Sequence, residues 1–180
     1  VPYPNISRLL VERAFVTGLI QDDQHQLWIG TYDSGIFKMD IASGQIKSYT
    51  CYYPDTKYVN AAAWRLFKDS QKRIWASTLG GGEVYLFDAN EDQFKPLNLP
   101  IYDVLTFFEE KEDILWMGSW SELTRLDLQT RRFKKYAVGT PVRFIKQADP
   151  HHLWIGTEGG GLLYFNIATG QSKSYTEKEG

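Results

Sequence analysis

The sequence predicts an all-β fold of four repeated blades, each a four-stranded antiparallel sheet, and three observations carry that reading. A Trp-centred motif recurs four times, as Leu27-Trp28-Ile29-Gly30-Thr31, Ile74-Trp75-Ala76-Ser77-Thr78, Leu115-Trp116-Met117-Gly118-Ser119 and Leu153-Trp154-Ile155-Gly156-Thr157. Its tryptophans are 47, 41 and 38 residues apart, close to the roughly 40 to 50 residues that one blade of a β-propeller uses. Aromatic residues make up 15% of the chain, a high share of the kind repeat β-folds carry.

The first copy gives the order of parts. An apolar run from Phe15 to Ile20 leads through the polar turn Gln21 to Gln26 into the Trp strand. The turn Tyr32-Asp33-Ser34-Gly35 follows, then the strand Ile36 to Met39, the turn Asp40 to Gly44 and a last strand Gln45 to Tyr49. Gly35 and Gly44 supply the positive φ that tight reversals need. The fourth copy repeats this nearly residue for residue, with Gly159-Gly160-Gly161, Leu162 to Phe165, Asn166 to Gly170 and Gln171 to Tyr175.

First strands of the later copies are expected at Ala61 to Phe67, Tyr102 to Phe108 and Val142 to Gln147, apolar on both sides as strands nearest a ring axis would be. The last strands, Ile46 to Tyr49, Phe94 to Leu97, Phe133 to Tyr136 and Ser172 to Tyr175, are read as alternating Lys with aromatic or aliphatic residues. That pattern suits a strand with one wet face and a protected edge. The repeating Trp residues are expected as core, because a large flat ring spans the roughly 10 Å between packed sheets. The small residues Gly30, Ser77, Gly118 and Gly156 would let backbones approach.

Composition narrows the function. With 20 basic and 22 acidic residues spread along 180 positions, the net charge of −2 gives no footprint for nucleic acid or anionic lipid. Cys51 is the single cysteine, so no internal disulfide or CxxC site is expected. No stretch approaches the roughly 20 apolar residues needed to cross a bilayer. The start, Val1-Pro2-Tyr3-Pro4, has neither Met nor the shape of a signal peptide, so an excised or processed piece is expected.

The Leu-Trp-Ile-Gly-Thr strand, followed by a Gly-containing turn, an aromatic strand, Asp or Asn and a Thr/Ser-Gly turn, resembles the regulator-propeller repeats in the periplasmic sensor region of bacterial hybrid two-component histidine kinases. The resemblance covers roughly residues 15 to 176. Blade two departs from it at Ser77 and blade three at Trp120-Ser121-Glu122-Leu123. It implies a periplasmic sensor propeller, divided as blade one at 15–59, blade two at 60–100, blade three at 101–140 and blade four at 141–180, with 1–14 closing an earlier blade. Kinase and DNA-binding parts of such receptors are not in this chain. Because the repeat resembles those of larger rings, three arrangements are open: a closed four-blade ring, two copies joined about a two-fold axis, or part of a longer array.

Function on a propeller gathers where the turns between second and third strands meet the blade connections. Here these carry Tyr32 and Asp33, Leu79 to Gly82, Trp120 and Glu122, and Glu158, with Tyr52 and Tyr58 on the long connection Cys51 to Asn60. Aromatic rings beside carboxylates suit a sugar, whose apolar face stacks while its hydroxyls donate to Asp or Glu. Trp120 stands out because it replaces a turn glycine. Trp64 also breaks the repeat.

His25, His151 and His152 fall in first-to-second-strand turns, at the other end of each blade, and no metal is expected. Asp22, Asp69 and Asp149 occupy equivalent turn positions that turn chemistry explains. The Gly80 and Gly159 runs precede strands and lack a following Gly-Lys-Ser/Thr, so they are not phosphate loops. No cofactor is expected. The reading is a non-catalytic sensor module for an oligosaccharide or other extracellular ligand, with further blades or a second copy as partners. Alternatives are a protein-interaction platform, or a propeller lyase built on Tyr58 and Arg65.

Overall fold

A computed structural model describes residues 14–175, so the expectation for residues 1–14 lies, but for Ala14, outside the described residues. Among the described residues every regular element is a strand, and no helix is long and apolar enough to cross a membrane. The chain forms two compact units, one ending at Asp103 and the other starting at Val104.

The first unit holds two four-stranded antiparallel sheets. One is β1 (Val16–Gln21), β2 (Gln26–Thr31), β3 (Gly35–Asp40) and β4 (Ile46–Tyr49), in chain order. After the small hairpin β5 (Cys51–Tyr52) and β6 (Val59–Asn60) comes the second, β7 (Ala63–Lys68), β8 (Ile74–Thr78), β9 (Val84–Asp88) and β10 (Gln93–Pro96). The second unit repeats the plan with β11 (Thr106–Lys111), β12 (Ile114–Gly118), β13 (Glu122–Asp127) and β14 (Phe133–Ala137). Its other sheet is β15 (Val142–Asp149), β16 (His152–Thr157), β17 (Leu162–Asn166) and β18 (Ser172–Tyr175). Each sheet is a meander in which neighbours in sequence are neighbours in space, which is how a propeller blade is built.

The tryptophan strands β8 and β12 are buried throughout and β2 over its last four residues, and Trp28, Trp75 and Trp116 are enclosed. In the first unit Trp28 bridges to the second sheet, its ring centroid 4.6 Å from that of Phe87 and 5.7 Å from that of Phe94. In the second unit Trp116 stacks on Tyr136 and meets Phe165 of the neighbouring sheet edge-on, both at 5.7 Å. Burying such a ring contributes on the order of 2 to 3 kcal/mol. The small residue two places on keeps the sheets close: a Cβ on Gly118 would sit 2.4 Å from Val142 Cγ1, on the first strand of the next sheet.

Each of these indoles also satisfies its N–H. Trp28 donates to Asp22 at 2.7 Å, Trp75 to Asp69 at 2.8 Å and Trp116 to Glu110 at 2.7 Å, always six residues back. The other Asp22 oxygen caps its turn by accepting from the Gln24 and Gln26 N–H groups. Trp154 has Ala148 at that position and is only half-buried, packing on Tyr164 and Tyr175. Asp149 instead serves Tyr164 and His152.

Three expectations are corrected. First strands of the later copies are not uniformly sandwiched: Phe144 on β15 is 58% exposed. The third sheet begins at Thr106 rather than Tyr102. Asp103 takes a left-handed backbone, φ 51°, and its carboxylate caps the Gly81 N–H at 2.9 Å, which turns the chain at 102–103 away from the sheet; the first bond to β12 is the Leu105 N–H donating to the Gly118 carbonyl at 2.7 Å. The connection Cys51 to Asn60 is not a plain loop but a hairpin, closed by the Tyr53 N–H donating to the Tyr58 carbonyl at 2.9 Å.

Candidate functional site

The turns between second and third strands are built alike. Thr31 Oγ1 donates to the Gly35 carbonyl at 2.8 Å and Thr157 Oγ1 to the Gly161 carbonyl at 2.7 Å. In the third sheet the turn is one residue shorter, with the Ser119 N–H donating to the Glu122 carbonyl at 2.9 Å. None of its residues has positive φ, so the glycine requirement disappears and a Trp fits at 120. In the second sheet the turn is one residue longer, from Thr78 to Glu83. The residue after the Thr or Ser is thus Tyr32, Leu79, Trp120 or Glu158 in the four sheets.

Beside each of three turns lies an irregularity. Pairing of the first strand slips between Val16 and Gly18, between Ala63 and Arg65 and between Val142 and Phe144. The skipped residues are Thr17, Trp64 and Arg143. A bulge frees its residue from the strict in-and-out alternation and re-aims the side chain.

In the first unit this brings Trp64 against Tyr32, with centroids 6.3 Å apart at 78°, while Phe15 also meets Tyr32 edge-on at 6.5 Å. Asp33 is exposed next to this aromatic group and accepts from Ser34 Oγ at 3.0 Å. Tyr52 and Tyr58 belong to the hairpin, where both rings are exposed, and the Tyr52 carbonyl accepts from the Tyr85 hydroxyl.

In the second unit the same two positions hold a different pair. The Arg143 guanidinium lies 5.1 Å from the centre of the Trp120 ring, and its Nε donates to Glu158 Oε2 at 2.7 Å. Trp120 is 45% exposed, unusual for so large an apolar ring held in one place from one side. Glu122 stands on β13 and pairs with Lys135 at 2.9 Å. Trp120 and Glu158, both expected from sequence, are therefore joined by Arg143. Arg143 was not expected, since a one-residue slip in pairing leaves no mark in a hydrophobic pattern.

The arrangement can do three things at one point: offer an aromatic face, donate from a planar fork and accept on a carboxylate. The histidines lie elsewhere, His25 bonded to Gln21 and His152 stacked on Tyr164 at 4.4 Å with Asp149 alongside, in turns at the other end of their strands.

Residues 12–33 match the family model described as Two component regulator propeller. Among solved structures the chain is similar to the extracellular domain assigned to a hybrid two component system, BT3049, of B. thetaiotaomicron. That match has 22% identity and a TM-score of 0.73, over 88% of this chain and 23% of that one. The extracellular domain of BT4673 from the same organism gives 21% identity and a TM-score of 0.71, over 92% and 22%. A virginiamycin B lyase from Staphylococcus aureus, in a structure with quinupristin, gives 16% and 0.72, over 94% and 58%. The chain thus spans about a quarter of the length of the first two. No curated protein matches it. The repeated sheets are propeller blades, and residues 12–33 carry the two-component regulator propeller repeat that the tryptophan motif resembles.

Proposed function

We propose that this chain is a non-catalytic, extracytoplasmic sensor module of a two-component signalling receptor, and that it binds a saccharide at the Trp120 end of the second unit. The observation that carries the reading is the Trp120–Arg143–Glu158 chain, an open indole face 5.1 Å from a guanidinium that is itself bonded to a carboxylate. A pyranose ring stacks its C–H face on an indole, and vicinal hydroxyls accept from an Arg fork while donating to a carboxylate. The extracellular origin of the similar solved domains supports the location and the role. Signalling would follow if the saccharide bound one receptor conformation better than another and so shifted their populations.

The family of binding-only propellers includes protein-interaction platforms, and the exposed Tyr52 and Tyr58 of the hairpin favour that as the second reading. Titration of an oligosaccharide panel, followed by tryptophan fluorescence, separates the two. Saturable quenching by a saccharide supports the sensor reading, and its absence with capture of a protein ligand supports the platform.

A further inference from the structure

We propose that the β5–β6 hairpin is an acid-closed cover on the turn end of the second sheet, and that a proton on the Glu83 carboxyl holds it shut. Glu83 occupies the place that is Gly35, Glu122 and Gly161 in the other sheets. Glu122 is open and paired with Lys135, whereas Glu83 is 6% exposed and its Oε2 has no hydrogen-bond partner among the described residues. An ionised carboxylate in such a place is costly, and the usual relief is protonation.

The hairpin supplies the cover. The Tyr85 hydroxyl donates to the Tyr52 carbonyl, Asn60 Nδ2 donates to the Leu79 carbonyl at 2.9 Å, and the Tyr53 hydroxyl lies against Gly80. At the hairpin tip Asp55 sits in the left-handed region, φ 54°, with its charge acting on Glu83. Burial first, and then Asp55, push the Glu83 carboxyl above the ordinary carboxylate range. Tyr85, which feels Glu83, and Cys51 beyond it are themselves raised by burial and stay protonated. On the far side of the turn the Asp103 carboxylate is taken up by the Gly81 N–H.

Opening would hydrate Glu83 and separate it from Asp55, returning its affinity for protons to the ordinary range. The raised affinity exists only under the closed hairpin, so closure gains stability as pH falls through the Glu83 value and loses it as pH rises. Hydrogen exchange at the Tyr53 amide, corrected for intrinsic rates from about pH 4 to about pH 8, reads the closed fraction. Protection should rise several-fold toward acid. The Glu83→Gln chain should be protected throughout, with the dependence gone, and Asp55→Asn should move the midpoint to lower pH. Equal protection across the range, a dependence that persists in Glu83→Gln, or an unmoved midpoint in Asp55→Asn would overturn the proposal.

Discussion

The indole N–H of Trp116 donates to Glu110 Oε2 at 2.7 Å, and the same oxygen accepts from Arg125 Nε at 2.8 Å. Glu110 thus connects a fully buried ring on β12 to a cation on β13, locking strands of one blade through side chains as well as through the ladder.

This network gives the second unit an acid-labile component. Burial pushes the Glu110 carboxyl up, but the hydrogen bonds from Arg125 and Trp116, with the charge of Arg125, outweigh it and hold the carboxyl below its usual 4.5. A carboxyl depressed on folding contributes stability above its unfolded value, which is lost as pH falls through the folded one. Urea melts should therefore show the wild-type chain losing stability below pH 4.5, and Glu110→Gln, weaker at neutral pH, should lose less over the same interval.

The equivalent carboxylate in the second sheet is more deeply held. The Asp69 side chain is fully enclosed, accepting from Trp75 Nε1 at 2.8 Å and from Arg73 Nε at 2.5 Å. Asp69→Ala removes the acceptor of the buried Trp75 indole N–H and an ion pair of Arg73, and should cost about 3 kcal/mol. Chemical denaturation followed by tryptophan fluorescence measures it.

Gly118 sets how closely two sheets of the second unit approach. Gly118→Ala places a methyl 2.4 Å from Val142 Cγ1 and should destabilise by about 1 to 3 kcal/mol, in the range of an overpacked core. Val142→Ala made together with it should recover part of that loss, a non-additivity that a double-mutant cycle reads directly.

Cys51 is 2% exposed at the base of the hairpin, and burial pushes its thiol up to about 12. At neutral pH it should resist a thiol reagent in the native chain and react fully once urea has unfolded it. Rapid labelling of the native chain would place Cys51 outside the core.

Much of the fold was legible because a blade repeats its chemistry. The four Trp strands, the glycine turns at Gly35 and Gly44, with φ of 79° and 71°, and the Lys-bearing last strands each follow from local pattern. What escaped depended on single residues. The hairpin turns on Pro54-Asp55, with the Thr56 N–H donating to the Tyr53 carbonyl, a turn signal set between two-residue strands too short to show alternation. Asp22 and Asp69 were visible as turn residues, but Glu110 was not singled out, and the shared role of these acids in accepting from an enclosed indole emerges only when the two neighbouring strands pair. Of the site, Trp120 was legible as a departure from the repeat and Glu158 as a carboxylate on a turn between second and third strands, whereas Arg143 depends on a bulge that periodicity does not encode.

The most direct test of the account is calorimetric titration of the chain with an oligosaccharide panel, repeated for Trp120→Ala and Arg143→Met. The account predicts that at least one saccharide binds and that either substitution weakens it by about tenfold or more, about 1.4 kcal/mol, with the melting transition unchanged. Binding of equal strength in wild type and both variants, or no saccharide binding at all, would contradict a saccharide site on Trp120 and Arg143.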